Sequence, residues 1–282
     1  MVRPIPHGLL SLIPAGLFLG VGILTLPDYG LTWDEAETFN ASSSNLRWLR
    51  GIGEPWDATH VLSGYYFVVD TARGFFVEAV TDAFGIQQQL LAQHAFTLCL
   101  SSASLALAYL LVAQISNSTR LALYTAGALA LLPAFIGHSQ NNPKDLPALF
   151  SFLLVGCCIV PAARTGHWRW VFASALALGI AWNTRILGLT LVPIYAIWLA
   201  WRFPDTHWRR LGIALLGGIC IAFSFWPWLW SAPFTNLMEV TERIQVHRLV
   251  DFQMMYLGEL HSWNEMPWHY RGVHLLVGLP LI

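Results

Sequence analysis

Charge is scarce along this chain and so unevenly spaced that eight stretches run without a single Asp, Glu, Lys or Arg. They are Gly8–Pro27, Ala83–Thr119 with its most apolar part at Ala95–Ile115, Leu121–Pro143, Leu146–Ala163, Trp170–Thr184, Ile186–Trp201, Leu211–Met238 and Gly272–Ile282. A helical residue rises about 1.5 Å, so roughly 20 apolar residues cross a hydrocarbon core of about 30 Å. Barrel strands fit poorly, because the runs are continuously apolar and rich in Leu and Ala rather than alternating. The composition agrees: 11% of residues are charged, against about 25% in soluble domains. Disorder, nucleic-acid binding through a basic surface and a secreted disulfide scaffold are thereby excluded. The expected fold is all-α: a polytopic transmembrane helical bundle forming one domain over 1–282. About eight spans are expected, near 8–27, 95–115, 121–137, 146–163, 168–184, 186–202, 211–230 and 272–282.

The distribution of charge sets the expected sidedness. With the N-terminus in the cytoplasm, the inner pieces hold Arg3, Arg120, Arg164, Arg169, Arg202, Arg209 and Arg210 against one acid, Asp205. That is +6 inside and −7 outside, as the positive-inside rule expects. Fifteen of the 16 acidic residues then face outward, in loops 28–94, 138–145 and 231–271. The first run reads as a span rather than a removable leader, since it ends Leu26-Pro27-Asp28-Tyr29 without a small-x-small cleavage site. Cys99, Cys157, Cys158 and Cys220 lie in apolar runs and match no metal-ligand spacing. Several tryptophans, among them Trp168, Trp201 and Trp226, fall near span ends as interfacial anchors.

Loops 28–94 and 231–271 far exceed the 2–8 residues that bundle connections usually take. The first opens with Thr32-Trp33-Asp34-Glu35-Ala36-Glu37. Thr32 suits an N-cap and Glu35 the third helical position of a capping box, so Asp34 and Glu35 can be read as a charged helix start. Trp48–Trp56 and Tyr65–Val69 mix aromatic and apolar residues with charges, as helices lying on a membrane surface do. The compact loop runs from His138 through Asn142-Pro143-Lys144-Asp145-Leu146-Pro147 and carries the only lysine of the chain. Lys144 can be a snorkelling interfacial cation paired with Asp145, or part of an anion site at a helix N-terminus. Arg185 separates two uncharged runs of 15 and 16 residues, about 23 Å each, which is short of the membrane core. It should face a polar cavity or an anionic headgroup. His247, His261 and His269 with Glu259 or Glu265 lack the tight spacing of a metal site.

Taken in order, Trp33-Asp34-Glu35 after the first run, Asn142–Pro147 opening the fourth, Arg185 at the next outer turn and Met266-Pro267-Trp268-His269-Tyr270 before the last resemble a GT-C superfamily membrane glycosyltransferase. The likeness is to the protein O-mannosyltransferase and aminoarabinose transferase type, the glycosyltransferase family 39 pattern. It implies an extracytoplasmic active site and a sugar donor carried on a polyprenyl phosphate. The acceptor would be a lipid, glycan or protein, and transfer would be inverting. By the same resemblance, Asp34 would be the acceptor-activating base and Glu35 its support. Lys144 and Arg185 would hold the lipid phosphate, while Asp145 would orient Lys144 or contact sugar or acceptor. His138 is placed with this donor-binding group. No cofactor is implied with certainty, and a divalent metal stays open. The expected partners are the donor lipid, the acceptor and the membrane, with no nucleic acid. Use of arginine almost to the exclusion of lysine fits a GC-rich bacterial genome, and the expected location is a bacterial inner membrane.

The chain stops inside its last apolar run, whereas many such transferases continue, so a fragment lacking C-terminal spans is expected. A lipid or solute transporter would need charged or helix-breaking features near mid-span; Gln114 and Ser101–Ser104 are weak candidates. A non-catalytic assembly subunit would leave the outer Asp-Glu and Lys-Asp pairs unexplained.

Overall fold

A computed structural model describes residues 7–32, 34–52, 67–203, 205–247 and 253–278. Trp33, Trp56, Tyr65 and the end of the last apolar run therefore lie outside the described residues. Each of the eight apolar runs contains helix. They hold α1 (His7–Thr25), α4 (Gln89–Ser116), α5 (Thr119–Leu131) with α6 (Pro133–Asn141), α7 (Asp145–Thr165), α8 (Trp168–Thr184), α9 (Leu191–Arg202), α10 (Trp208–Ser224) and α13 (Tyr270–Gly278). The first long loop folds as α2 (Glu35–Leu49) and α3 (Phe67–Phe84). The last carries α11 (Trp228–Ser231) and α12 (Pro233–His247).

The expectation of an all-α membrane bundle holds, with two departures. Among the described residues three helices, at His7–Asp28, Ile86–Ser116 and Asp145–Thr165, are long and apolar enough to cross a membrane unaided, or four if α5 and α6 count as one span. The run expected as a single span at 121–137 is bent by 67° between those two helices. The cause is Pro133: its ring forces the preceding residue toward extended backbone, and Leu132 sits at φ −66°, ψ 120°. The second departure is an antiparallel hairpin, β1 (Gln253–Tyr256) with β2 (Glu259–Ser262), in the last outer loop of a chain expected to be all helix. Its turn places Leu257 and Gly258 at positive φ.

α4 is the axis of the bundle, packing against α1, α3, α5, α6 and α7. Its Leu98, Leu105 and Tyr109 are fully buried, and Tyr109 Oη lies 3.1 Å from His7 Nδ1. Ser101 and Ser104 bond back to the Thr97 and Leu100 carbonyls, so these mid-helix hydroxyls serve their own backbone. α8 packs most extensively on α10. The contact runs over small residues, Ala175 and Gly179 of α8 and Gly217 and Gly218 of α10: a Cβ at Gly217 would lie 2.9 Å from the Ala175 Cβ, and one at Gly218 2.9 Å from the Leu178 Cβ. Such small residues let helix backbones approach where lipid removes the hydrophobic driving force. The outward faces are apolar, with Leu12, Leu17 and Leu24 of α1 and Ile194, Ile197 and Trp201 of α9 all exposed.

Candidate functional site

The charged residues collect where the first turn of α2 meets the first turn of α7. α2 starts at Glu35 with Asp34 before it, two residues later than the capping box expected, yet Glu35 still reaches back: its Oε2 accepts the Thr32 backbone N–H at 2.6 Å and lies 3.0 Å from the Thr32 hydroxyl. That hydroxyl also lies 3.0 Å from the Asn141 carbonyl, tying α2 to the end of α6. At α7 the organiser is Asn142. Its Oδ1 accepts the backbone N–H groups of Lys144 (3.1 Å) and Asp145 (2.8 Å). Its Nδ2 donates to Asp145 Oδ2 at 3.0 Å and lies 3.1 Å from His138 Nδ1. Two N–H groups at this helix start are thus satisfied internally, which leaves side-chain cations as the groups able to meet an anion.

Two ion pairs stand side by side on this frame. Lys144 Nζ contacts Asp34 Oδ1 at 2.9 Å and Glu37 Oε2 at 2.8 Å. Partial burial works to lower the Lys144 pKa, but hydrogen bonds to Glu37 and Asp34 outweigh it and hold the ammonium above its usual range. Arg185, held extended just after α8, pairs through a guanidinium nitrogen with Asp145 Oδ1. The outer partners stay accessible: the Asp34 and Asp145 side chains are 49% and 59% exposed.

Beneath them lies a dry charged layer. Arg73 on α3 donates to Asp70 Oδ1 and to the Pro143 carbonyl, both at 2.8 Å, with its guanidinium 5.3 Å from the centre of the Phe96 ring. Both charged residues of this pair are buried. Desolvation pushes the Asp70 carboxyl up to about 7 against the opposing pull of Arg73, and burial depresses Arg73. Glu35 is also buried, its Oε1 2.8 Å from His94 Nε2 but out of line for a hydrogen bond.

The structure therefore brings Asp34, Lys144, Asp145 and Arg185 into one chain of contacts, with His138 joined through Asn142. Glu35 stands behind them, inside the frame. Glu37, Asp70, Arg73 and His94 were not anticipated, and Asn142 was read only as part of the Asn142–Pro147 stretch, without a role of its own. Glu37 had a signal, since it sits three residues after Asp34 on the same helix face. So had Asp70 and Arg73, charges three apart within the otherwise apolar Phe67–Val77. In the last loop, His261 and His269 both lie against the Tyr256 ring, and among the described residues no cluster of His, Cys, Asp and Glu suits a metal ion.

An apolar helical bundle that gathers cations and carboxylates at helix ends defines an integral membrane protein with a polar site. The family model described as dolichyl-phosphate-mannose-protein mannosyltransferase matches residues 54–242. That is two thirds of the sequence, and the chain belongs to this family of GT-C glycosyltransferases, membrane enzymes that use a lipid-linked sugar. The matched stretch includes His138, Lys144, Asp145 and Arg185 and begins after Asp34 and Glu35. Comparison with curated proteins and with solved structures gives no significant match.

Proposed function

We propose that this chain moves a sugar from a polyprenyl-phosphate donor to an acceptor hydroxyl with inversion. The site would lie at the extracytoplasmic face of a bacterial inner membrane, in an eight-span bundle with its N-terminus in the cytoplasm. The observation that carries this reading is Lys144 Nζ 2.9 Å from Asp34 Oδ1, beside the Arg185–Asp145 pair. Glycosyl transfer from a phosphate needs positive charge on the departing oxygen and a carboxylate for the acceptor proton.

In the resting arrangement each cation is held by a carboxylate. When the donor phosphate enters, Lys144 and Arg185 turn to its oxygens, and Asp34 loses its ammonium partner. The freed carboxylate takes the proton of the acceptor hydroxyl as that oxygen attacks the anomeric carbon. The bond from that carbon to the phosphate oxygen breaks, and the lipid phosphate leaves with its charge on Lys144 and Arg185. Asp145 orients Arg185, and His138 steadies Asn142 at the edge of the donor pocket. Glu35 acts as a positioning residue that fixes the start of α2.

Membranes carrying the chain, given radiolabelled polyprenyl-phosphate mannose and a Ser/Thr-rich peptide, should label the peptide. Asp34→Asn and Arg185→Ala should each reduce labelling at least a hundredfold, the usual effect of losing one group that stabilises transition-state charge. Undiminished transfer by either variant removes that residue from the site.

A further inference from the structure

Where α2 meets α7, the cations Arg73, Lys144 and Arg185 each meet a carboxylate. The far end of the bundle is different. α7 runs 21 residues from Asp145 to Thr165, about 31 Å, and there Arg164 joins Arg202 at the end of α9 and Arg210 in the first turn of α10. Among the described residues none of the three pairs with a carboxylate, although Asp205 lies in the α9–α10 connection. One ring holds two of them: Arg164 and Arg202 lie 5.6 and 5.2 Å from the centre of Phe203. Arg210 lies 5.3 Å from the centre of the Trp168 ring. The His207 backbone N–H donates to the Ala163 carbonyl at 3.2 Å, fastening the α9–α10 connection to the end of α7. The fit there is close, since a Cβ at Gly166 would come 2.9 Å from Arg210 Nη1.

Cations gathered in this way call for an anion. α8 and α10 both begin here with arginines and no acid in the first turn, the reverse of what a helix macrodipole favours. A guanidinium seated on an aromatic face keeps its in-plane N–H groups for the paired oxygens of a phosphate. Arg164 and Arg202 are exposed and Arg210 is half-buried. Two features point to lipid rather than a soluble anion. Trp168, Trp201 and Trp208 are exposed at this same end, as tryptophans at headgroup level are. The Ile194 and Ile197 side chains of α9, next to Trp201 and Arg202, are exposed as well and offer an apolar track. From this we infer that Arg164, Arg202 and Arg210 bind the phosphate of an acidic phospholipid whose chains lie along α9. The site is independent of the transfer chemistry at Asp34 and of which side of the membrane this end faces.

The test is native mass spectrometry of the purified full chain in detergent, titrated with phosphatidylglycerol or with phosphatidylcholine. Phosphatidylglycerol should be retained in preference. Arg164→Gln and Arg202→Gln should each weaken its binding about fivefold, the effect of one basic residue at a lipid surface. Both side chains are exposed, so neither change disturbs the core. Arg202→Lys, which keeps the charge but loses the two-pronged donor, should bind between Arg202→Gln and the parent. Arg120→Gln removes a charge at the same end of the bundle, on α5 and outside the cluster, and should leave binding unchanged. Equal retention of the two lipids, equal losses in Arg120→Gln and in the cluster variants, or release of the lipid by excess inorganic phosphate overturns the inference.

Discussion

Replacing Arg73 by Met isolates what the buried layer does. The guanidinium is wholly enclosed and makes two contacts of 2.8 Å, to Asp70 and to the carbonyl just before Lys144. Methionine fills much of the space but strands both acceptors. Removing one member of a buried pair typically destabilises by about 3–5 kcal/mol. The pH dependence gives a second handle of similar size. Asp70 rises from 3.8 to about 7 in the folded protein, and that difference corresponds to about 4 kcal/mol at 1.36 kcal/mol per pH unit.

The sign follows from proton counting. Between those two values the folded chain binds more protons than the unfolded one, so stability falls as pH rises through the window. The parent protein should lose stability from pH 4 to 7 and then level off. In Arg73→Met the pull that lowers Asp70 is gone, so the loss should continue above pH 7. Thermal unfolding of purified protein, followed by the emission of its 14 tryptophans at pH 5 to 8, reads both effects. At pH 8 the midpoint should fall on the order of 10 °C, converting by the usual scaling with chain size, and by less at pH 5. Asp70→Asn combined with Arg73→Met should recover most of the loss, because the double variant leaves no buried charge. A single variant that melts with the parent at every pH would refute the assignment.

Three further outcomes follow from the same geometry. Gly218→Val should lower stability by about 1–3 kcal/mol in the same melt, since its side chain must enter the α8–α10 contact. Thr32→Val, which removes the hydroxyl beside Glu35 and the Asn141 carbonyl, should lower stability by about 1 kcal/mol. Lys144→Met should shift the melt by no more than about 1 kcal/mol, because partly exposed ion pairs contribute little, yet it should abolish peptide mannosylation.

The uncharged runs made the bundle legible, because a membrane admits few other structures. Hidden were the features set by single residues within apolar text. Pro133 broke an expected span, and the short 253–262 hairpin offered little alternation to notice. The Asp34, Lys144, Asp145 and Arg185 group was visible because charge at the end of an apolar run is exceptional. The supporting layer was less so: Asn142 looks like any loop asparagine until its carboxamide is seen to cap Lys144 and Asp145. Arg73 looks like a loop charge until α3 is packed against α4. The small-residue seam of α8 and α10 was present as Ala175, Gly179, Gly217 and Gly218, but alanine and glycine are too common in apolar helices to announce a contact.

In the proposed mechanism Asp34 and Lys144 act as one unit, the cation passing from carboxylate to donor phosphate. Single-turnover transfer rates for Asp34→Asn, Lys144→Met and the double variant test this most directly. Residues that act together are strongly non-additive, so the double variant should be about as slow as the slower single one. Losses that multiply, or either single variant transferring at the parent rate, would contradict the account.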